Sequence, residues 1–212
     1  MSLVLAALIG YLLGAIPFGL VIGRMTRGID LREYGSHRIG ATNALRTLGV
    51  RAAALVFVLD VSKGVAAVLL TRAILAGDPN AEWAAALAGF AAVVGHNWSV
   101  FIRFTGGRGV ATSAGARGAM SIWTILLLVP IVIVLIWRTR YVSVGSITGG
   151  LLAPVITAGV WALDGASVAA IVYALASGLL VTAAHADNIA RLRAGTERRI
   201  GQKEATTPHG LG

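Results

Sequence analysis

Residues 109–137 read GVATSAGARGAMSIWTILLLVPIVIVLIW, and how this run is divided decides the fold. Read as one crossing from Ala119 to Trp137, it gives an even total of six spans and conflicts with one of the arginine clusters. Read as two pieces, Gly109 to Ser121 is about 20 Å long as a helix and Ile122 to Trp137 about 24 Å, both short of a roughly 30 Å hydrocarbon core. Two short or re-entrant helices are therefore expected. The run opens on Gly106-Gly107-Arg108-Gly109, whose glycines suit a tight turn that lets the backbone approach a ligand closely, before Val110 starts a helix. A helix start beside an arginine fork is a way to hold an anion, although the same four residues also make an ordinary hinge.

The surrounding composition is that of an integral membrane protein. Of 212 residues, 57% are hydrophobic and 13% charged, about half the charge of a soluble domain, and mean hydropathy is +0.80. Residues 3–23 lack the basic start and small-residue cleavage pattern of a signal peptide and are expected to stay as a first span, bent or closely packed around Gly14, Pro17 and Gly19. Six arginines between Arg24 and Arg51 then place the following loop in the cytoplasm. Ala52 to Leu75 is a second span, GDPNAE an outer turn without basic residues, and Trp83 to Val94 a third span returning inward. Val142 to Leu163 and Ala166 to Ala184 form a last pair joined at Asp164 and Gly165. Arg191, Arg193, Arg198, Arg199 and Lys203 put the C-terminus inside. The expectation is an all-α protein with seven transmembrane helices, N-terminus outside and C-terminus cytoplasmic. Residues 1–200 form one membrane domain and residues 201–212 a polar tail.

The net charge of +9 fits anionic headgroups or a phosphorylated substrate better than nucleic acid in such a chain. Without cysteine, disulfides and thiolate chemistry are excluded. Four dispersed histidines and few carboxylates make no metal set, and no cofactor is expected. Neither a Gly-x-Ser-x-Gly elbow nor a His-x-x-x-x-Asp spacing is present.

Polar residues that hydropathy does not require cluster in three places. The loop YGSHRIGATNALR offers Ser36, Asn43 and Arg46 for a phosphate or acyl group, or simply helix caps. Asp60 and Lys63, deep in the second span and three residues apart, are read as a pair supporting a polar pocket. After the last span, His185, Asn188 and Arg191 recur at intervals of three along one side of a helix.

In order, GAIPFGLVIGR, YGSHRIGATNALRTLG, DVSKG, GHNWSVFIRFTGGRGVAT, RYVSVGSI and HADNIARLRAGTE resemble the signatures of the bacterial acylphosphate-dependent glycerol-3-phosphate acyltransferases. The resemblance implies a bacterial inner-membrane enzyme whose active site faces the cytoplasm. It would transfer a fatty acyl group from acyl phosphate to the 1-hydroxyl of glycerol 3-phosphate, giving lysophosphatidic acid and phosphate. A separate acyl-carrier-protein phosphate transacylase would supply the donor. Ser36, His185 and Asn188 would serve catalysis. Asn43, Arg46, Lys63, Gly106, Gly107, Arg108 and Gly109 would bind the phosphorylated substrates. Two positions depart from the pattern: Arg108 replaces a lysine, and His37-Arg38 replaces Gly-Asn after the motif serine. A transporter or binding protein for phosphorylated solutes is the competing reading.

Overall fold

The structure is a computed structural model that describes residues 2–164 and 167–202. The described residues form ten α-helices: α1 (Ser2–Ala15), α2 (Phe18–Arg27), α3 (Ala41–Thr47), α4 (Val50–Ile74), α5 (Ala81–Asn97), α6 (Val110–Met120), α7 (Ile122–Thr139), α8 (Val142–Asp164), α9 (Val168–Ala183) and α10 (Ala186–Arg193). The turn expected at Gly165 and the tail from residue 203 lie outside the described residues.

The first apolar run is broken as Pro17 dictates. Proline lacks the N–H that would continue the ladder, so α1 ends at Ala15 and α2 restarts at Phe18. The carbonyl of Ile16, at this break, accepts a hydrogen bond from Lys63 Nζ at 3.0 Å. Among the described residues four segments are long and apolar enough to cross a bilayer: Ser2–Arg27, Val50–Ile74, Ile122–Thr139 and Val142–Leu163. A fifth follows if α9 and α10, bent by 56°, act together.

The 109–137 run divides at Ser121, but unequally. Helix α6 has 11 residues, about 16 Å, and cannot cross alone. Helix α7, expected to be short or re-entrant, reaches 18 residues because it continues to Thr139, two residues past Trp137. Ser121 ends one helix and caps the next, its hydroxyl accepting a hydrogen bond from the Thr124 N–H at 3.3 Å.

Helix α6 is held inside the bundle by close backbone contact, the usual way helices associate where no water drives them together. A Cβ on Gly64 of α4 would collide with the Thr112 carbonyl, and one on Gly115 with the Val61 carbonyl. Ala116 and Tyr173 complete the wall, buried with Val68 and Ala85. This clamp fixes where the glycine turn before α6 can sit.

Candidate active site

The turn is built by position-specific demands on its glycines. Only Gly109 adopts positive φ, +74°, and it caps α6. Gly106 and Gly107 are needed for space instead: added methyls would meet the His96 carbonyl and the His96 Nε2 atom. The Gly107 N–H donates to the His96 carbonyl at 3.0 Å, so the end of α5 braces the turn.

Arg108 leaves this turn towards α10. Its Nη2 lies 2.7 Å from Asp187 Oδ2, which Arg191 Nη1 shares at 3.3 Å. Arg191 Nε donates to Glu197 Oε2 at 2.8 Å, while Glu197 Oε1 accepts from Ser143 Oγ at 2.7 Å and Asn188 Nδ2 at 2.6 Å. One chain of charged hydrogen bonds thus ties the glycine turn, the start of α8 and α10 together. Burial works against the Glu197 charge, but hydrogen bonds from Ser143, Asn188 and Arg191 hold its carboxyl below the usual range. Asp187 is lowered likewise, with Arg108 and Arg191 outweighing its desolvation.

His185 sits at the bend between α9 and α10. Its Nδ1 must be the protonated nitrogen because it faces the Val181 carbonyl at 2.7 Å, which leaves Nε2 with the lone pair. Burial pushes its pKa down to about 4, only partly offset by that hydrogen bond, so the ring is neutral near pH 7.

The loop before α3 is organised by Asn43. Its amide donates to the carbonyls of Leu31, Tyr34 and Arg38 at 2.8 to 3.0 Å and its oxygen accepts the Ser36 N–H at 2.9 Å. At 2% exposure it shapes the loop that presents Ser36 more than it offers a free amide. His37 takes the left-handed backbone, φ +56°, that glycine would favour, with Nδ1 2.9 Å from the Arg32 carbonyl. The bulk that replaces glycine beside Ser36 therefore preserves a glycine-type turn.

These three groups meet at one cavity of about 810 Å³. Ser36, Asn43, Arg46, Gly107, Arg108, Gly109, His185, Asn188 and Arg191 all line it. Two expected substrate ligands do not. Gly106 lies behind the turn against α5, and Lys63 points inward, its Nζ 2.8 Å from Asp60 Oδ1 with both side chains 2% exposed. Asp60 and His96 reach the cavity wall instead, His96 Nδ1 lying 3.5 Å from Asp60 Oδ1.

Beyond the polar mouth the cavity continues between α6, α7 and α8 as an apolar limb, walled by Leu128, Val129, Val132, Ile133 and Ile136 and by Gly145 and Gly149. Arg108 Nε and Asn188 Oδ1, both buried, have no hydrogen-bond partner among the described residues. A cavity with cations and helix N–H groups at one end and aliphatic walls beyond can hold an amphiphile by its anionic head and its tail together.

Glu197, Ser143, Asp187 and Arg117 are cavity residues that sequence reasoning did not single out as ligands. Glu197 lies in a segment that reads as a solvated basic tail, and its bond to Ser143 spans 54 residues, a separation with no local signature. A carboxylate among arginines is the only clue the sequence carries.

Comparison with known proteins identifies the family. The family described as Glycerol-3-phosphate acyltransferase matches residues 4–195. A glycerol-3-phosphate acyltransferase of Synechococcus sp. (strain JA-3-3Ab) is 47% identical over 209 residues, covering 98% of each chain. One from Thermoanaerobacter sp. (strain X514) is 44% identical, covering 96% of this chain and 98% of its own. Among solved structures, the glycerol 3-phosphate form of PlsY (YgiH), an integral membrane glycerol 3-phosphate acyltransferase, superposes with a TM-score of 0.84 at 36% identity, covering 95% of this chain and 96% of that one. Its lysophosphatidic acid form gives 0.83 at 35%, with the same coverage. The chain belongs to the glycerol-3-phosphate acyltransferase family.

Proposed function

We propose that the protein acylates glycerol 3-phosphate in phospholipid synthesis, taking the acyl group from acyl phosphate and releasing lysophosphatidic acid and inorganic phosphate. The observation that carries this reading is a cavity in which a basic mouth opens into an apolar limb. Two anions must meet at the mouth while one of them keeps its chain in the limb.

Acyl phosphate is a mixed anhydride, so its leaving group is already activated and no covalent enzyme intermediate is required. The 1-hydroxyl oxygen bonds to the acyl carbon, the carbon–phosphate oxygen bond breaks, and the hydroxyl proton passes to a substrate phosphate or to His185 Nε2. Arg46, Arg108 and the N–H groups opening α6 neutralise and orient the phosphates, and Ser36 orients the reacting groups. Asn188 positions its neighbours through Glu197, and Lys63 acts indirectly by fixing Asp60 beneath His96. Arg108 binds phosphate as lysine would but cannot give up a proton, which removes it as an acid.

The proposed topology keeps residues 1–200 as one domain with seven membrane segments, N-terminus outside, in the bacterial inner membrane. The mouth then opens to the cytoplasm, where a separate acyl-carrier-protein phosphate transacylase supplies the donor. The arginine-rich loops on either side of the mouth support that orientation.

The test incubates purified protein with radiolabelled glycerol 3-phosphate and palmitoyl phosphate. Formation of lysophosphatidic acid with stoichiometric phosphate release is expected. Uptake of the label into proteoliposomes without acylation would replace the enzyme by a transporter, and a trapped acyl-enzyme would overturn direct transfer.

A further inference from the structure

Arg117 is a cation in an unusual place. It lies on α6 eight residues past Gly109, about 12 Å deeper than the mouth, yet it is 5% exposed and lines the same cavity. The ion pairs among the described residues do not include it. Its Nη2 donates to Ser177 Oγ at 2.9 Å and Ser113 Oγ at 3.3 Å, its guanidinium lies 5.8 Å from the Tyr173 ring centre, and its Nε has no hydrogen-bond partner. A buried charge held only by hydroxyls and a ring face is expensive to desolvate further.

Its depth follows from the chain path. Helix α7 runs back along α6, so that a Cβ on Gly118 would lie 3.4 Å from Ile125 Cγ1 at the inner end, while Ser143, just beyond α7, bonds Glu197 at the mouth. The limb therefore starts at Glu197 and Ile136 and closes at Ile125 and Arg117.

We propose that Arg117 is the polar floor of the limb and limits the length of acyl chain that it accepts. The proposal rests on the acyl-transfer reading above. Methylenes lying between α7 and α8 meet aliphatic walls at little cost relative to the bilayer. A chain long enough to press its methyl end against the guanidinium covers the part of it that still faces the cavity, so the charge loses its remaining polar surroundings. Such a loss is worth roughly tenfold in selectivity.

The experiment measures kcat/KM at fixed glycerol 3-phosphate for saturated acyl phosphates lengthened stepwise from octanoyl to octadecanoyl, in wild type, Arg117→Leu and Arg117→Lys. In wild type the profile should fall about tenfold over one or two steps. Arg117→Leu should remove the fall, and Arg117→Lys, whose head is smaller but still charged, should move it to longer chains. Ratios between donors are read, so a general loss of rate does not mimic the effect. If Arg117→Leu fails to fold, the displaced break in Arg117→Lys decides. A wild-type profile without a break, or one break shared by all folded proteins, overturns the role of Arg117. No transfer with any donor overturns the acyl-transfer reading, and this inference with it.

Discussion

The two ends of the cavity solve the same electrostatic problem in opposite ways. At the mouth, Arg108 and Arg191 share Asp187, and Arg191 also reaches Glu197, so each cation has a carboxylate that an incoming phosphate can replace or join. At the inner end Arg117 has only the hydroxyls of Ser113 and Ser177 and a tyrosine ring. Lys63 stands between the two cases, as buried as Arg117 but neutralised within its own helix by Asp60. Compensation by carboxylates makes a charge exchangeable. Compensation by packing and hydroxyls makes it part of the wall.

The sharpest way to break this contrast is to strip a compensated charge of its partner. Lys63→Met leaves Asp60 buried with only His96 beside it, and a loss of about 3 to 5 kcal/mol of stability is expected, read as collapse of folded yield in detergent. Combining it with Asp60→Asn should recover most of that yield. An undiminished Lys63→Met protein would mean that the pair contributes nothing. Next, Arg108→Ala should lower kcat/KM at least about a hundredfold while the protein stays folded, since a charged hydrogen-bond donor to phosphate is lost. Unchanged kinetics would return the glycine turn to the status of a hinge.

A smaller effect distinguishes the mouth by pH. His185 titrates at about 4 when folded but near its ordinary 6.5 when unfolded, so between those values the unfolded chain binds more protons. The stability it contributes is complete above about 6.5 and is lost as pH falls towards 4. Melting temperatures in detergent should drop across that window, and His185→Gln should flatten the slope. The smallest change is expected at the inner end. Ser177→Ala removes the shortest hydrogen bond to Arg117 and should cost about 1 kcal/mol of stability, without altering the KM for glycerol 3-phosphate. A raised KM would mean that the two ends are coupled.

Much of this architecture was legible in the residues because its causes are local. Pro17 interrupts the first span, Gly109 opens α6, and charge density puts Ser36, Arg108, His185 and Asn188 on the same side, while it is the family resemblance that joins them in one pocket. What escaped depends on contacts between distant segments. The spacing pairs Lys63 with Asp60 without saying which of the two meets the cavity, and it is Asp60 that does. Gly106 looks equivalent to Gly107 until α5 is packed behind the turn. Glu197 gains its role only when α8 brings Ser143 beside it. A helix that stops at Trp137, where hydropathy falls, is too short: α7 runs through Arg138 to Thr139 before capping at Arg140.

Ser121, the single residue between α6 and α7, also bears on biogenesis. An 11-residue helix carrying Arg117 is a poor substrate for insertion by itself, since an arginine at mid-helix costs about 2.5 to 3.5 kcal/mol on insertion scales. Joined through Ser121 alone to one of the two most apolar candidate spans, it is expected to enter the bilayer as half of a hairpin and then to pack on α4 through Gly64 and Gly115. A nascent chain truncated after Met120 should therefore leave residues 110–120 open to protease, and extension through Thr139 should protect them.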